Sequence, residues 1–452
     1  MMMPRFLYRS YWLLYWVSFR MKRHVTPAGA MVTAVFCVTA LFGLNMYKTT
    51  LYQVMTLSFS VLFVSAALSL IPFRPRLRLR HILPAYGTVG EKIVYSIEIT
   101  NLGAKPEKGI IFYEDPADPR PDPATLLARK EPYEHLRNAW DRKTLYYRWA
   151  WLVLKAGKAS LRPIKLPDLP PGETLRMTSD FIPNYRGYLH FTGVTLARPD
   201  ILGLFMRNFR IQKAEKLLVL PRRYPLDPPD LTSRRQYHPG GVNLASSIGN
   251  SDEFMSLRYY RPGDPMHNIH WRTFARTGEL VIKEFEDEFF VRYALILDTF
   301  VSPERERIFE EAVSIAASYI ASMDPHDAIL DLVLGGHEMY AFSSGRGLGG
   351  SEKMLEILSC VESCRDKTIL ELKPVLEGSL KKISGAILVF SGWSKDHEEI
   401  CRLIHEALVP AFVIVLAEDA RQKETIVRET GGSPYPVRVV QVGAVPEELS
   451  MP

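Results

Sequence analysis

The sequence predicts a multi-domain protein of mixed class: a helical membrane anchor, a β-sandwich, and an α/β domain built on a mainly parallel sheet. Three observations predict it. Two long uncharged stretches lie within residues 1–80, short alternating runs broken by Pro and Gly fill residues 82–220, and strand-like and helix-like runs alternate from residue 291 to 452. A chain of 452 residues with 47% hydrophobic content is long enough to bury two or three cores.

The first twenty residues are aromatic and apolar but interrupted by Arg5, Arg9 and Arg20. They read as an interfacial helix rather than a signal peptide, because no small-residue cleavage site follows. Residues 28–46 and 51–71 are uncharged over 19 and 21 residues. At about 1.5 Å per residue each can cross a hydrocarbon layer of roughly 30 Å. Only residues 47–50 connect them, which permits a helical hairpin. Arg5, Arg9, Arg20, Lys22 and Arg23 precede it, Lys48 alone lies in its turn, and Arg74, Arg76, Arg78 and Arg80 follow. The positive-inside rule then puts both ends, and the soluble domains, in the cytoplasm of a multi-pass protein. Two buried helices of a soluble core are the competing reading, which this length and flanking charge disfavour.

Residues 1–80 hold ten of the 56 Lys and Arg and no Asp or Glu, so the remaining 46 basic residues face 50 acidic ones. The formal net charge of +6 therefore belongs to the membrane-proximal end. A nucleic-acid-binding domain would carry its basic patch on the folded part, so no nucleic acid is expected as partner. Four cysteines are too few to frame a chain of this length with disulfides. Cys37 lies in an apolar stretch and Cys360 and Cys364 are one helical turn apart, as reduced packing residues would be.

In residues 82–220, Val94, Ser96, Glu98 and Thr100 alternate with Tyr95, Ile97 and Ile99 ahead of an Asn101-Leu102-Gly103 turn. Similar runs at 109–113, 160–166, 173–181, 188–196 and 216–220 favour an immunoglobulin-like β-sandwich. Residues 115–148 read as an insertion. Residues 221–257 are rich in Pro and turn formers and read as a surface linker, the first part of a connecting region spanning 221–290. The α/β domain, 291–452, is expected to place strands at 293–297, 329–334, 338–342, 386–390, 412–416 and 437–442, with helices at 304–322, 352–363 and 395–408.

Residues 260–286, YRPGDPMHNIHWRTFARTGELVIKEFE, concentrate the most local signals. Arg261-Pro262-Gly263 predicts a tight turn, Asp264 an N-cap and Pro265 the first residue of a helix running through His270 and Trp271 to about Arg276. Gly278 stops it and an edge strand begins at Glu279. Trp271 is expected to bury against a domain face. Arg261, Arg272 and Arg276 beside it have the composition of interface anchors, unless Glu279, Glu284 and Glu286 hold them in intramolecular pairs. His267 and His270 lack a third ligand by spacing, so His270 is expected to cap or pack rather than bind metal.

Arg261, Pro262, Gly263, Asp264, Ile269, His270, Trp271, Ala275, Arg276, Thr277, Gly278 and Leu280 match, in order, the RPGD turn, IHW helix and ART-G-L run of a bacterial membrane-protein family. The sequence thus resembles domain of unknown function 58. Asn184 to Tyr188 and Arg198 to Phe205 resemble two further motifs of that family, an R-G turn and a DP-GL-like corner in which Ile201 replaces the proline. A packing role in turns outweighs a binding role for both. The resemblance implies a C-terminal domain similar to von Willebrand factor type A and partnership with a MoxR-type AAA+ ATPase at the bacterial cytoplasmic (inner) membrane.

In von Willebrand type A domains an Asp-x-Ser-x-Ser loop, a later hydroxyl and a second carboxylate hold a divalent cation. The corresponding loops here are Asp298-Thr299-Phe300-Val301-Ser302, Gly349-Gly350-Ser351 and Ser391-Gly392. Asp298, Ser302 and Ser351 remain as candidate ligands, while Phe300 and Ser391 stand where a hydroxyl and a carboxylate are expected. Magnesium favours six hard oxygen ligands, so this set predicts a degenerate site and no firmly held cofactor. The competing reading has Asp298 capping a helix or turn. Gly345 to Gly350 fits G-x-G-x-x-G but follows no first strand of a parallel sheet, so a plain loop is expected. With no Walker loop, H-E-x-x-H or G-x-S-x-G in the chain, the leading expectation is a non-enzymatic adaptor that meets the lipid bilayer, an AAA+ ATPase and a client protein. A divalent-cation-dependent receptor built on Asp298, Ser302 and Ser351, and a hydrolase with an unrecognised site, are the alternatives.

Overall fold

The computed structural model describes residues 3–43, 49–132, 134–227, 229, 231, 254–285, 291–302, 305–323, 328–335, 340–344, 350–364 and 367–449. Residues 44–48, which hold the first half of the turn between the two apolar stretches, most of the linker, Glu286 and the run from Gly345 to Gly349 lie outside the described residues. The chain divides into two units, residues 1–222 with 356–360, and residues 223–355 with 361–452.

The first unit opens with α1 (Met3–His24), α2 (Pro27–Gly43) and α3 (Thr49–Ser69). Neither α2 nor α3 carries a charge in its terminal turns, and their hydroxyls return hydrogen bonds to the preceding turn, as Thr33 does to Gly29 O and Ser60 to Thr56 O. The two helices pack together, with Phe36 and Phe59 ring centroids 5.9 Å apart. Residues Thr50–Ser69 form one helix long and apolar enough to cross a membrane, and Pro27–Phe42 form a shorter apolar one.

The strands β1 (Leu77–Ile82), β2 (Tyr86–Thr88), β3 (Ile93–Asn101) and β4 (Ile111–Pro116) follow. Between β4 and the next strand lie α4 (Pro123–Ala128), α5 (Ala139–Thr144) and α6 (Tyr146–Gly157), so the segment read as an insertion is helical. The unit is completed by β5 (Ile164–Lys165), β6 (Thr174–Phe181), β7 (Gly187–Pro199) and β8 (Met206–Leu220). One sheet has the order β1-β3-β6 and a second the order β2-β8-β7-β4-β5. Along β3 the predicted alternation holds: Tyr95, Ile97 and Ile99 are buried, and they share one apolar core with Phe112, Leu196 and Leu217 of the second sheet. In the corner after β7, Asp200 accepts from Leu204 N at 2.9 Å and from Ser65 Oγ, which gives the DP-GL-like motif a structural task.

The second unit begins with β9 (Phe254–Tyr259), α7 (Trp271–Thr277) and β10 (Val281–Phe285), the two strands pairing antiparallel as a separate ribbon. After it come β11 (Val291–Leu297), α8 (Glu306–Ser322), β12 (Ala328–Leu334), β13 (Tyr340–Ser344), α9 (Ser351–Cys360), α10 (Lys373–Ser379), β14 (Gly385–Phe390), α11 (Lys395–Glu406), β15 (Ala411–Ala417), α12 (Ala420–Glu429), β16 (Val437–Gln441) and α13 (Val445–Leu449). Six strands form one sheet in the order β13-β12-β11-β14-β15-β16, parallel except for β13. Every residue of β14 is buried, as expected of a central parallel strand covered on both faces. Ile296, Leu388 and Val413 pack with Ile400 and Ile404 of α11 in the core. From β11 the chain moves to β12 on one side and later returns to β14 on the other. The crevice beyond the carboxyl ends of β11 and β14 is therefore the switch point where open α/β sheets take ligands.

Candidate functional site

The ribbon of β9 and β10 carries the sequence motif. The predicted single helix from Pro265 to Arg276 is two pieces, a 3-10 turn at Met266–Asn268 and α7. Ile269 between them is extended, at φ −64° and ψ 131°, because it is buried and bridges to Ile282 of β10. Asp264 is not an N-cap. Its carboxylate faces the guanidinium of Arg258, with Nη1 to Oδ2 at 2.7 Å and Nη2 to Oδ1 at 2.8 Å, and accepts Arg261 N at 2.8 Å. This fork and the backbone donor hold its carboxyl well below the usual range, at about 2. The pair closes the Arg261-Pro262-Gly263 turn onto β9.

His270 occupies the N-cap position of α7, where its Nδ1 meets Thr273 Oγ1 at 2.6 Å and its backbone N donates to Val281 O. Gly278 ends the helix at φ 75°, a left-handed conformation that a Cβ would strain. Trp271 departs from expectation, since 59% of it is exposed while Ile269 and Ile282 take the inner positions. Phe274 meets its ring edge-on at 6.1 Å. Arg261, Arg272 and Arg276 are exposed, and among the described residues none makes an ion pair; the side chains of Glu284 and Glu286 lie outside that description.

At the switch-point crevice Asp298 is 3% exposed and fully engaged with the protein. Oδ1 accepts Phe300 N at 3.0 Å, Oδ2 accepts Ser391 N at 3.2 Å, and His397 Nε2 lies 3.3 Å from Oδ2. The second nitrogen of that imidazole meets Ser394 Oγ at 2.7 Å, and its ring packs on Phe390 at 4.7 Å. Phe300 fills the neighbouring space: a Cβ on Gly335 would fall 2.1 Å from its ring. Thr299 Oγ1 donates to Gly335 O at 2.6 Å.

The three candidate ligands do not converge. Ser351 shares a small cavity with Met323, Ala328 and Ser344, at the amino end of β12. Asp298 follows the carboxyl end of β11, which is in register with Leu334 at the opposite end of β12. Seven residues at about 3.3 Å each put roughly 20 Å between those ends. The reason is topological, because β13 runs antiparallel and delivers the start of α9 to the far edge of the sheet. Among the described residues no group of three His, Cys, Asp or Glu side chains could hold a metal ion. With Asp298 and Ser351 at opposite ends of the sheet, the donor set does not fit one divalent cation, and Asp298 organises a turn. Sequence reasoning missed Arg258, whose partner lies six residues on, and His397. The one signal for the latter was a Ser-x-x-His spacing at the start of a helix.

These features define a multi-domain α/β protein with several sheets and, among the described residues, one helix long and apolar enough to cross a membrane. Residues 256–394 match the family described as "Protein of unknown function DUF58". The uncharacterised protein YeaD of Bacillus subtilis (strain 168) is 32% identical over 178 residues, covering 38% of this chain and 42% of its own length. Among solved structures, the CARDB domain of a Pyrococcus furiosus protein in complex with di-metal ions is similar at 12% identity and a TM-score of 0.17, over 34% of this chain and 96% of that one. A PapD-like domain of human CEP192 is similar at 12% identity and a TM-score of 0.17, over 33% and 92%. At such scores neither likeness bears on fold or function.

Proposed function

We propose that the protein is a non-catalytic, membrane-anchored adaptor of the bacterial cytoplasmic membrane, working with a MoxR-type AAA+ ATPase in the assembly or maturation of envelope or membrane complexes. The observation that carries this reading is the uncovered surface of the β9–α7–β10 segment. Leu257, Tyr259, Met266, Trp271, Phe274 and Leu280 are all at least 38% exposed, and Arg261, Arg272 and Arg276 are exposed among them. Aromatic side chains interleaved with arginines are the composition of interface anchors, and a run of exposed large apolar groups costs solubility unless a partner covers it. The ATPase itself enters through the family resemblance.

In this reading α2 and α3 form a transmembrane hairpin with both ends in the cytoplasm. The paired sheets are an immunoglobulin-like sandwich, and the six-stranded sheet is a von Willebrand A-like domain with a degenerate crevice. A cation-dependent receptor would need Asp298, Ser302 and Ser351 around one ion, and the distance between the first and last speaks against it. The test is retention of the ATPase by the detergent-solubilised full chain. Arg261→Ala and Arg276→Ala are expected to leave melting nearly unchanged while weakening retention, since exposed arginines usually matter little to folding. Variants that unfold yet retain partner in proportion to their folded fraction would move the adaptor surface elsewhere.

A further inference from the structure

The helices α4 to α6 have no task in the function above, yet they bind α1 closely. Leu126, Trp149 and Leu152 form a small core against which Tyr8, Tyr11 and Tyr15 of α1 pack. Tyr8 donates its hydroxyl to Pro121 O at 3.2 Å and Tyr11 donates to Thr144 O at 2.9 Å. The Arg120 guanidinium lies 4.1 Å from the centre of the Trp12 ring. At its other end α1 is fixed by Arg23, which pairs with Asp115 and donates to Glu114 O at 2.8 Å. One face of the helix is thus seated along its length.

The opposite face is also apolar. At 100° per residue Tyr8, Tyr11 and Tyr15 share one side, and Phe6, Leu13 and Val17 fall on the other, with Leu14 and Met21 beside them. These five are exposed by 73%, 54%, 37%, 65% and 54% respectively, and Arg9 and Arg20 are exposed at the margin of the stripe. A helix apolar on both sides needs cover on both. Among the described residues, protein supplies it on the tyrosine side only.

We infer that the second cover is an anionic bilayer surface: α1 lies flat in the interface with its Leu13 face in the acyl boundary, and the α4–α6 segment, residues 123–157, is the cradle that fixes it there. Two observations select lipid. Only Val25 and Thr26 separate α1 from the apolar helix α2, so its carboxyl end must stay where α2 starts. Residues 1–80 hold ten basic and no acidic residues, the charge that anionic headgroups attract, and Trp12 and Trp16 are the side chains favoured at that depth. The inference rests on α2 and α3 spanning the bilayer, and it adds a fixed geometry between the bilayer plane and the β-rich unit.

The test uses the full chain with its native cysteines replaced, reconstituted in phosphatidylglycerol–phosphatidylcholine vesicles and spin-labelled singly at Leu13, Val17, Tyr11 or Phe63. Labels at Leu13 and Val17 are expected at interfacial depth, oxygen-accessible and shielded from a water-soluble relaxant, while a label at Tyr11 is shielded from both. Trp149→Ala is expected to mobilise the Leu13 label. Water exposure of Leu13 and Val17 with Phe63 deep in the bilayer would overturn the inference and leave the anchor intact. Water exposure of Phe63 would overturn both. Spin–spin coupling between Leu13 labels would identify a second copy as the cover, and an unchanged Leu13 label in Trp149→Ala would remove the cradle.

Discussion

Asp298 has its two carboxylate oxygens on the backbone N–H groups of Phe300 and Ser391, with His397 beside the second. A metal ion would have to displace these contacts and the Phe300 ring. Melting of the native protein is therefore expected to be unchanged by millimolar magnesium, where a site a hundredfold above its Kd would add about 2.7 kcal/mol. A shift of several degrees, abolished in Asp298→Ala, would contradict this. The position of Asp298 after a strand was legible in the sequence, whereas His397 was not, because it reaches the crevice from a different helix 99 residues later. A second residue-scale prediction concerns Glu114, buried and pushed up to about 7 mainly by burial, with Glu215 and Asp115 adding repulsion. It faces Tyr95 of β3, His81 of β1, and Glu215 and Lys213 of β8. Its folded state favours the protonated form, so its stability contribution is complete below the ordinary value of 4.5 and lost as pH rises through about 7. His81, lowered by burial, acts with the opposite sign. The melting temperature of the native protein relative to Glu114→Gln is expected to fall between about pH 5 and 7, and a flat difference would contradict the burial account.

At the scale of elements, the strand and helix periods of the second unit were readable because a buried parallel sheet leaves continuous apolar runs. The motif segment was harder. Caps and turn residues predicted one helix, yet the bridge between Ile269 and Ile282 draws the backbone out of helical geometry midway, a tertiary contact that local propensity does not encode. The same bridge explains Trp271: with the isoleucines inside, the tryptophan of the adjacent turn is left outward. The insertion defeated sequence reading for a related reason, since its short helices are stabilised by tyrosines more than a hundred residues earlier. For α2 and α3 the charge pattern sets the expectation. A reporter active only in the cytoplasm is predicted to give signal when fused after residue 452 and none when placed in the turn at 47–50. Signal in the turn alone would reverse the orientation.

At the scale of the whole molecule, one unit carries the apolar helices α2 and α3 with two β-sheets, and the other is an α/β unit in which Asp298 is held by its own neighbours. The proposed function puts recognition at the exposed face of the β9–α7–β10 segment. That claim is tested most directly by a photo-crosslinking residue in place of Trp271, activated in intact membranes with the full chain expressed. The prediction is an adduct with an AAA+ ATPase, reduced by Arg276→Ala at equal protein level and equal melting temperature. An adduct confined to this chain, or none while a crosslinker in the Asp298 crevice captures a partner, would contradict it.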